Sequence, residues 1–374
     1  MDHTNFGAEM KLIFIVGAGG IPDIAGDIEK YAEQLFPRIT ARGWDVILAA
    51  LNRHVSTNEY RNIRLLGLPG LRIFGTEKAL YHVCALYHAR RLRPDIVHLA
   101  GLGAAFFLWA YKLLGCKIVV RCGAVENLSV QSGWFAKAGY RWAEYQLRWA
   151  DMIIAVTPEL ARRLRRKGIV ANVQIIGNAI DPPAADDGKR EISGDYILVV
   201  GPITKQENHH LLMIAFRQFQ ADHPQIKLVI ASGRGGLEYR RKINACRDDK
   251  IVMLRRISRP RLIQLYRHAR LYIDGSADEG GCNALLEAIS QNTPLLLSYI
   301  PGNRDLRLDP KHHFNPHDVA SILAAMKRAH AHPHSFRVDP GAFPDWDEIT
   351  MRTIKIYEQL IAEKLVESRQ SECE

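Results

Sequence analysis

Residues 276–288 read SADEGGCNALLEA and follow the apolar run LYID. Glu279 stands in the glycine-rich part with Gly280 and Gly281. Glu287 comes eight residues later, past Cys282, Asn283 and Ala284, on a predicted helix. A carboxylate beside a diol accepts two hydrogen bonds, and an ionised acceptor makes the stronger ones. The pair suits a hydroxyl-rich ligand; the bland alternative is a loop charge and a solvated helix residue. Three cations sit in comparable loops: Lys205 after YILVVG, which ends at Gly201, Arg234 in SGRGG and Arg304 in PGNRD. The N-termini of the helices that follow would add positive potential for an anion. Each cation also reads as an ordinary surface charge.

The first half offers less. Gly26 precedes a helical pattern, and His98 in DIVHLAG ends a predicted strand, where it either assists chemistry or sits as a satisfied core group. His330, His332 and His334 straddle a predicted helix end around Pro333 without nearby carboxylate or cysteine ligands, and read as solvated loop histidines. No DxD motif ends a strand, so no catalytic divalent metal is expected.

These loops need a scaffold, and the chain supplies one twice. KLIFIVG, DVILAA, DIVHLA, KIVVRC and MIIAV have the composition of strands, with amphipathic stretches such as 27–42 and 134–149 between them. After a polar stretch with paired prolines, IDPPAADDGKREISG, a second series begins: YILVVG, KLVIASG, KIVML, LYIDGS and PLLLSY. Alternation of this kind predicts α/β domains, each a mostly parallel, doubly covered sheet of Rossmann type. A site in the cleft between them is expected, since such sheets bind ligands at the carboxyl ends of their strands. The predicted division is 1–182, 183–345 and a final helical segment, 346–374.

Composition agrees and sets bounds. The chain's 374 residues exceed what one core usually serves, and 47% hydrophobic residues suffice for packed interiors. A formal charge of +10 points to an anionic partner. Six cysteines without a CxxC pair fit a reducing cytosol. No basic-then-apolar leader precedes Lys11, and the longest apolar stretch, 102–116, is broken by Lys112, so no membrane span is expected. Basic and aromatic residues mix around Arg141, Trp142, Tyr145, Arg148 and Trp149, which would favour peripheral contact with a headgroup layer at the inner face of a membrane. No nucleic-acid module accompanies them.

Along nearly its whole length the chain resembles the retaining glycosyltransferases of family 4, of GT-B fold. The similarity rests on the Glu279 to Glu287 segment, on GIPDIAGDIEKYAEQLFPRITARGWDV, RPDIVHLAG, WADMIIAVTPEL, IIGNAIDP and PGNRDL, and on the segment from Trp346 to Tyr357. The resemblance implies a donor domain in the second half, where Glu279 meets sugar hydroxyls and Glu287 the nucleotide ribose. It implies an acceptor domain in the first half, a final helix crossing back onto it, and sugar transfer with retention from a nucleotide-diphosphate sugar to a saccharide or lipid-linked acceptor. Polysaccharide or glycolipid assembly is the usual setting. The expected donor residues are Gly26, Gly201, Lys205, Arg234, Glu279, Gly280, Gly281, Cys282, Asn283, Ala284 and Glu287, with Glu279 and His98 as candidate catalytic groups and no cofactor beyond the donor.

Several positions depart from the family's pattern. Asp27 follows Gly26 where a second glycine is usual; Cys122-Gly123 replaces His-Gly; Gly201-Pro202 and Glu207 replace Gly-Arg and a lysine. Cys122 reads as a small buried hydrophobe. Each lost hydrogen bond to a charged group is worth about 1.5–3 kcal/mol, so losing two slows transfer by roughly two to four orders of magnitude unless replaced. Lys205 is the expected substitute. The departures also motivate a rival reading, a noncatalytic glycosyltransferase-like subunit acting by partner binding; a nucleotide-sugar epimerase is the third.

Overall fold

The computed structural model describes residues 11–24, 26–71, 78–123, 134–169, 172–185, 188, 190–232, 237–246, 248–255, 257–277 and 282–371. The chain divides into two compact units, one comprising 1–177 with 346–374 and the other 178–345.

The first unit alternates β1 (Leu12–Val16), α1 (Asp27–Thr40), β2 (Asp45–Leu51), β3 (Glu59–Tyr60), β4 (Ile63–Leu68), α2 (Lys78–Leu92), β5 (Ile96–Ala100), α3 (Leu108–Leu113), β6 (Lys117–Cys122), α4 (Trp134–Gln146), β7 (Met152–Ala155), α5 (Pro158–Arg166) and β8 (Val173–Ile175). Its sheet runs β3-β4-β2-β1-β5-β6-β7-β8, parallel except at the short β3–β4 edge. β5, β6 and β7 are buried at every position, as strands covered on both faces must be. Local chemistry sets the helix starts. At α5 the Thr157 side chain accepts the Leu160 N–H at 3.1 Å and Pro158 occupies the first turn, where its missing donor costs nothing.

The second unit comprises β9 (Tyr196–Val200), α6 (His209–Asp222), β10 (Lys227–Ser232), α7 (Leu237–Ala245), β11 (Ile251–Arg255), α8 (Arg259–His268), β12 (Leu271–Asp274), α9 (Cys282–Ser290), β13 (Leu295–Ser298), α10 (Pro301–Arg304), β14 (His313–Phe314) and α11 (Val319–Ala331). The six strands are parallel in the order β11-β10-β9-β12-β13-β14. The chain winds outward from β9 in one direction and then, from β12, in the other. This reversal makes the carboxyl ends of β9 and β12 the place where two loops part and leave a crevice. Residues 178–182 belong to this unit, because Ile180 bridges to Asp345.

The last helix, α12 (Trp346–Ser371), returns to the first unit. Arg42 Nη2 bonds Asp347 Oδ1 at 2.8 Å, Arg352 donates to the Ile175 carbonyl at 2.6 Å, and Lys117 meets Glu367 at 2.8 Å. Between these polar ties Trp346, Ile349, Ile356, Tyr357 and Leu360 are buried. Among the described residues, no helix is long and apolar enough to cross a membrane.

Candidate functional site

The reversal in the second unit's sheet gathers polar side chains that the apolar strands leave at their ends. β9 hands the chain to Gly201, whose N–H donates to the Ala231 carbonyl at 3.2 Å. A Cβ added there would lie 2.9 Å from Glu207 Oε2, so the loop before α6 folds Glu207 back over Gly201. From the neighbouring strand, Ser276 places its N–H 3.0 Å and its hydroxyl 2.6 Å from Asp274 Oδ1, and the same hydroxyl 3.2 Å from Glu207 Oε2. Asn303 Nδ2 donates to the Ser298 carbonyl at 3.1 Å and lies 3.4 Å from Asp274 Oδ2. Asp274, Ser276, Ser298 and Asn303 are all buried. The Ala277 N–H, donating to the Gln206 carbonyl at 2.7 Å, ties the two loops together. Burial above all, then the Asp274 charge, pushes the Glu207 carboxyl up to about 7 against the lowering effect of the Ser276 hydrogen bond. Lys205 is exposed in the same turn and forms no ion pair among the described residues.

Beyond β12, α9 opens at Cys282. Asn283 Oδ1 accepts from Asn178 Nδ2 at 2.8 Å, and Ala284 is half-buried. Glu287 is largely sequestered, with 13% of its side chain exposed, and lies 3.5 Å from Arg259 Nη1. Arg259 also grips Asp181 at 2.6 Å, so its position is fixed from two sides. Tyr266 is fully buried, and burial first, then the Glu287 charge, holds its hydroxyl well above its ordinary pKa. Glu287 is therefore not a freely solvated helix charge. Arg304 sits with its guanidinium carbon 5.0 Å from the Tyr299 ring centre, and with Tyr299, His313, Asn315 and Ser321 it lines a cavity of about 520 Å³. Arg234, Glu279, Gly280 and Gly281 lie outside the described residues. Arg259 and the Asp274–Ser276 pair were not singled out by sequence reasoning. The polar tail of LYIDGS was the available signal for the pair, and the first turn of SRPRL for Arg259.

In the first unit, Gly26 has φ 157°, and a Cβ there would fall 2.0 Å from Glu29 Oε2. Glu29 Oε1 in turn accepts the Gly19 N–H at 2.7 Å. The glycine loop after β1 is thus filled by its own helix's glutamate. His98 corrects an expectation. It is the third residue of β5, between Ile15 and Val119 in register, and not at the strand's end. Its fully buried ring sits among Tyr31, Phe36 and Tyr357, with Nδ1 2.7 Å from the Tyr357 hydroxyl. Burial, then the Arg121 charge, pushes its pKa down to about 3, so it is a neutral core group. Cys122 is buried and its thiol is pushed up to about 12 by that burial, which removes thiolate chemistry near neutral pH. His330 Nδ1 accepts from Arg270 Nε at 2.8 Å, and among the described residues no group of three or more histidine, cysteine or acidic side chains is placed to hold a metal.

Two parallel-sheet α/β units, the second wound in the order of a dinucleotide-binding fold, define the GT-B class of architecture. Two family models match the chain in succession: Glycosyltransferase Family 4 over residues 28–183 and Glycosyl transferases group 1 over 185–338. The chain belongs to this glycosyltransferase family. No curated protein matches the sequence at a significant level. Among solved structures it is similar to sucrose-phosphate synthase from Thermosynechococcus elongatus, at 19% identity and TM-score 0.77, covering 94% of this chain and 100% of that one. It is also similar to HepE from Anabaena in complex with UDP and glucose, at 13% identity and TM-score 0.74, covering 93% and 99%. The UDP-forming α,α-trehalose-phosphate synthase from Burkholderia xenovorans, in complex with glucose-6-phosphate, is 12% identical with a TM-score of 0.72, covering 94% and 99%. At such identities the likeness is one of fold.

Proposed function

We propose that this glycosyltransferase moves a sugar from a nucleotide-diphosphate donor, held by the second unit, to a saccharide or lipid-linked acceptor presented by the first, with retention at the anomeric carbon. The observation that carries the reading is the sequestered Glu287, locked by Arg259 on the helix that leaves the reversal point of a Rossmann-ordered sheet. A carboxylate held in one geometry with little water around it is prepared to accept hydrogen bonds from a ribose diol. Glu279, Gly280, Gly281 and Cys282 would meet the sugar ahead of it, with Asn283 and Ala284 in the first turn of α9. Gly201 gives the diphosphate close approach, and Lys205, with Arg234, supplies the charge that stabilises the departing nucleoside diphosphate. Related folds support the choice of ligands, since one was solved with UDP and glucose and another with glucose-6-phosphate. The reading includes no metal or further cofactor.

A lipid-linked acceptor draws support from an aromatic ladder on the first unit. Trp142 stacks on Tyr145 at 6.0 Å, Tyr145 meets Trp149 edge-on at 5.5 Å, and Arg148 lies 4.8 Å from the Tyr145 ring, all with substantial exposure. Trp109 and Leu113 are exposed as well. Amphipathic rings with interleaved cations favour the headgroup layer of a membrane.

The test is a thermal-shift screen with nucleoside diphosphates and their sugars, followed by transfer assays with NMR assignment of the product anomer. A ligand present at 100 times its dissociation constant stabilises by about 2.7 kcal/mol, and that shift disappears in Glu287→Ala. A folded protein that answers to none of them is the noncatalytic, partner-binding subunit instead, a reading favoured by one observation: a carboxylate, Glu207, lies over Gly201.

A further inference from the structure

Glu207 and Asp274 approach one hydroxyl from two sides. Ser276 Oγ lies 2.6 Å from Asp274 Oδ1 and 3.2 Å from Glu207 Oε2. A serine hydroxyl carries a single proton. Pointed at Asp274, which the shorter distance favours, it leaves its lone pairs facing Glu207. If Glu207 were ionised, oxygen lone pairs and a buried negative charge would meet with no hydrogen between them. One proton on Glu207 resolves the contact: its O–H donates to Ser276 Oγ, and Ser276 donates to Asp274. Two carboxyls that meet within hydrogen-bonding range of a shared partner do not both ionise freely.

Among the described residues, the surroundings of Glu207 supply no cation that would remove the need for this proton. On Glu207's own loop, Lys205 is exposed and His209 is buried, its pKa pushed down to about 4 chiefly by that burial, hence neutral. From the end of β12 come Asp274 and Ser276; from β13 and α10 come Ser298 and Asn303, both neutral and both turned to each other or to Asp274. Opposite lies the backbone of Gly201. Burial with the Asp274 charge holds the carboxyl near neutrality, in keeping with this geometry.

We propose that Glu207, Ser276 and Asp274 hold one shared proton at the strand reversal, and that this proton decides whether the loop after β9 admits a diphosphate. With the proton in place Glu207 is a neutral group over Gly201, and the positive end of α6 and Lys205 face the ligand. Without it, a carboxylate stands against the phosphates. Glu207 is thus a specificity-determining residue of the donor loop, occupying the place where a cation would simply attract. Above neutrality each donor bound draws one proton from solvent. This inference rests on the assignment of the donor to the second unit.

The experiment is titration calorimetry with UDP-glucose, GDP-glucose and ADP-glucose from pH 5.5 to 8.5, in two buffers of different ionisation enthalpy. The diphosphate in these ligands is esterified at both ends, so protons taken up from solvent go to the protein and not to the ligand's phosphates. The expected result is constant affinity below neutrality, a fall approaching tenfold per pH unit above it, and uptake of about one proton per ligand on the falling limb. In Glu207→Gln, an isosteric neutral group, affinity stays high and the pH dependence and proton uptake vanish. In Asp274→Asn, with one charge fewer, the fall moves to more acid pH. Glu207→Gln keeping the wild-type slope would overturn the proposal. Should none of the three sugars bind either protein at any pH, the donor assignment fails by itself. The shared proton is then judged on stability alone: denaturant unfolding of wild type loses stability between pH 4.5 and pH 7 and Glu207→Gln does not, and equal slopes would sink it.

Discussion

The two units carry the same local device, a glycine loop between the first strand and its helix, and in each a glutamate from the following segment turns back over a glycine. In the first unit Glu29 finds a donor there, the Gly19 N–H at 2.7 Å. In the second Glu207 finds another carboxyl's hydroxyl partner. One loop satisfies its carboxylate with backbone; the other meets its carboxyl with an acceptor and needs a proton. The residue type is the same, and what differs is whether an N–H or a second acid faces it. An anion entering the first loop competes with Glu29, whereas one entering the second meets a group whose charge is adjustable.

The largest expected effect sharpens this contrast. Glu207 has its folded pKa raised from 4.5 to about 7, so the folded chain holds the proton longer than the unfolded one. The stability it provides is complete below about pH 4.5 and lost as pH rises to about 7. Glu207→Gln should therefore exceed wild type by roughly 3 kcal/mol at pH 8 and match it near pH 4, as read by urea unfolding. Next comes the backbone. Gly26→Ala places a side chain at positive φ and against Glu29, and should cost about 2 kcal/mol, whereas Gly201→Ala displaces only the end of Glu207 and should cost less. The comparison breaks if the two alanines cost the same.

A smaller effect has the opposite pH sign. His98 is held neutral, with its pKa lowered to about 3, so the first unit loses stability as pH falls below about 6.5. Replacing His98 with Gln should flatten that acid limb by about 1 kcal/mol at pH 5.5, whatever the substitution costs at neutral pH. Smallest is Glu29→Gln, which keeps an acceptor for Gly19 and should change stability by about 1 kcal/mol or less, as read by urea unfolding.

Much of the scaffold was legible because parallel strands buried on both faces are written as unbroken apolar runs. DIVHLA, KIVVRC, MIIAV, YILVVG and LYID all became strands. Some strands at or next to the sheet edges were not, since they need not be apolar: β4, second from its edge, carries the exposed Arg64 and a glycine, β8 spans three residues, and β14 is only His313–Phe314. His98 shows a limit of another kind. Composition places a histidine in a strand but does not tell the middle of the strand from its end, and that difference separates a core ring from a cleft group. For the site, Glu207 was visible only as a missing lysine. Its partners lie 67 and 69 residues further along, and they meet it because β9 and β12 are neighbours, a fact of sheet order that no local pattern contains.

The return of α12 has a consequence for biosynthesis. The second unit is one uninterrupted segment, complete once Asp345 has been made, while the first unit waits for a helix that is translated after the whole of the second. Until then the surface around Tyr31, Trp44 and His98, which Trp346 and Tyr357 cover, is bare apolar surface on a nascent chain. Domains usually mature in the order in which they leave the ribosome. Here the later segment closes first, and the earlier one is left dependent on a helix made after it, or on a chaperone, to guard its open face.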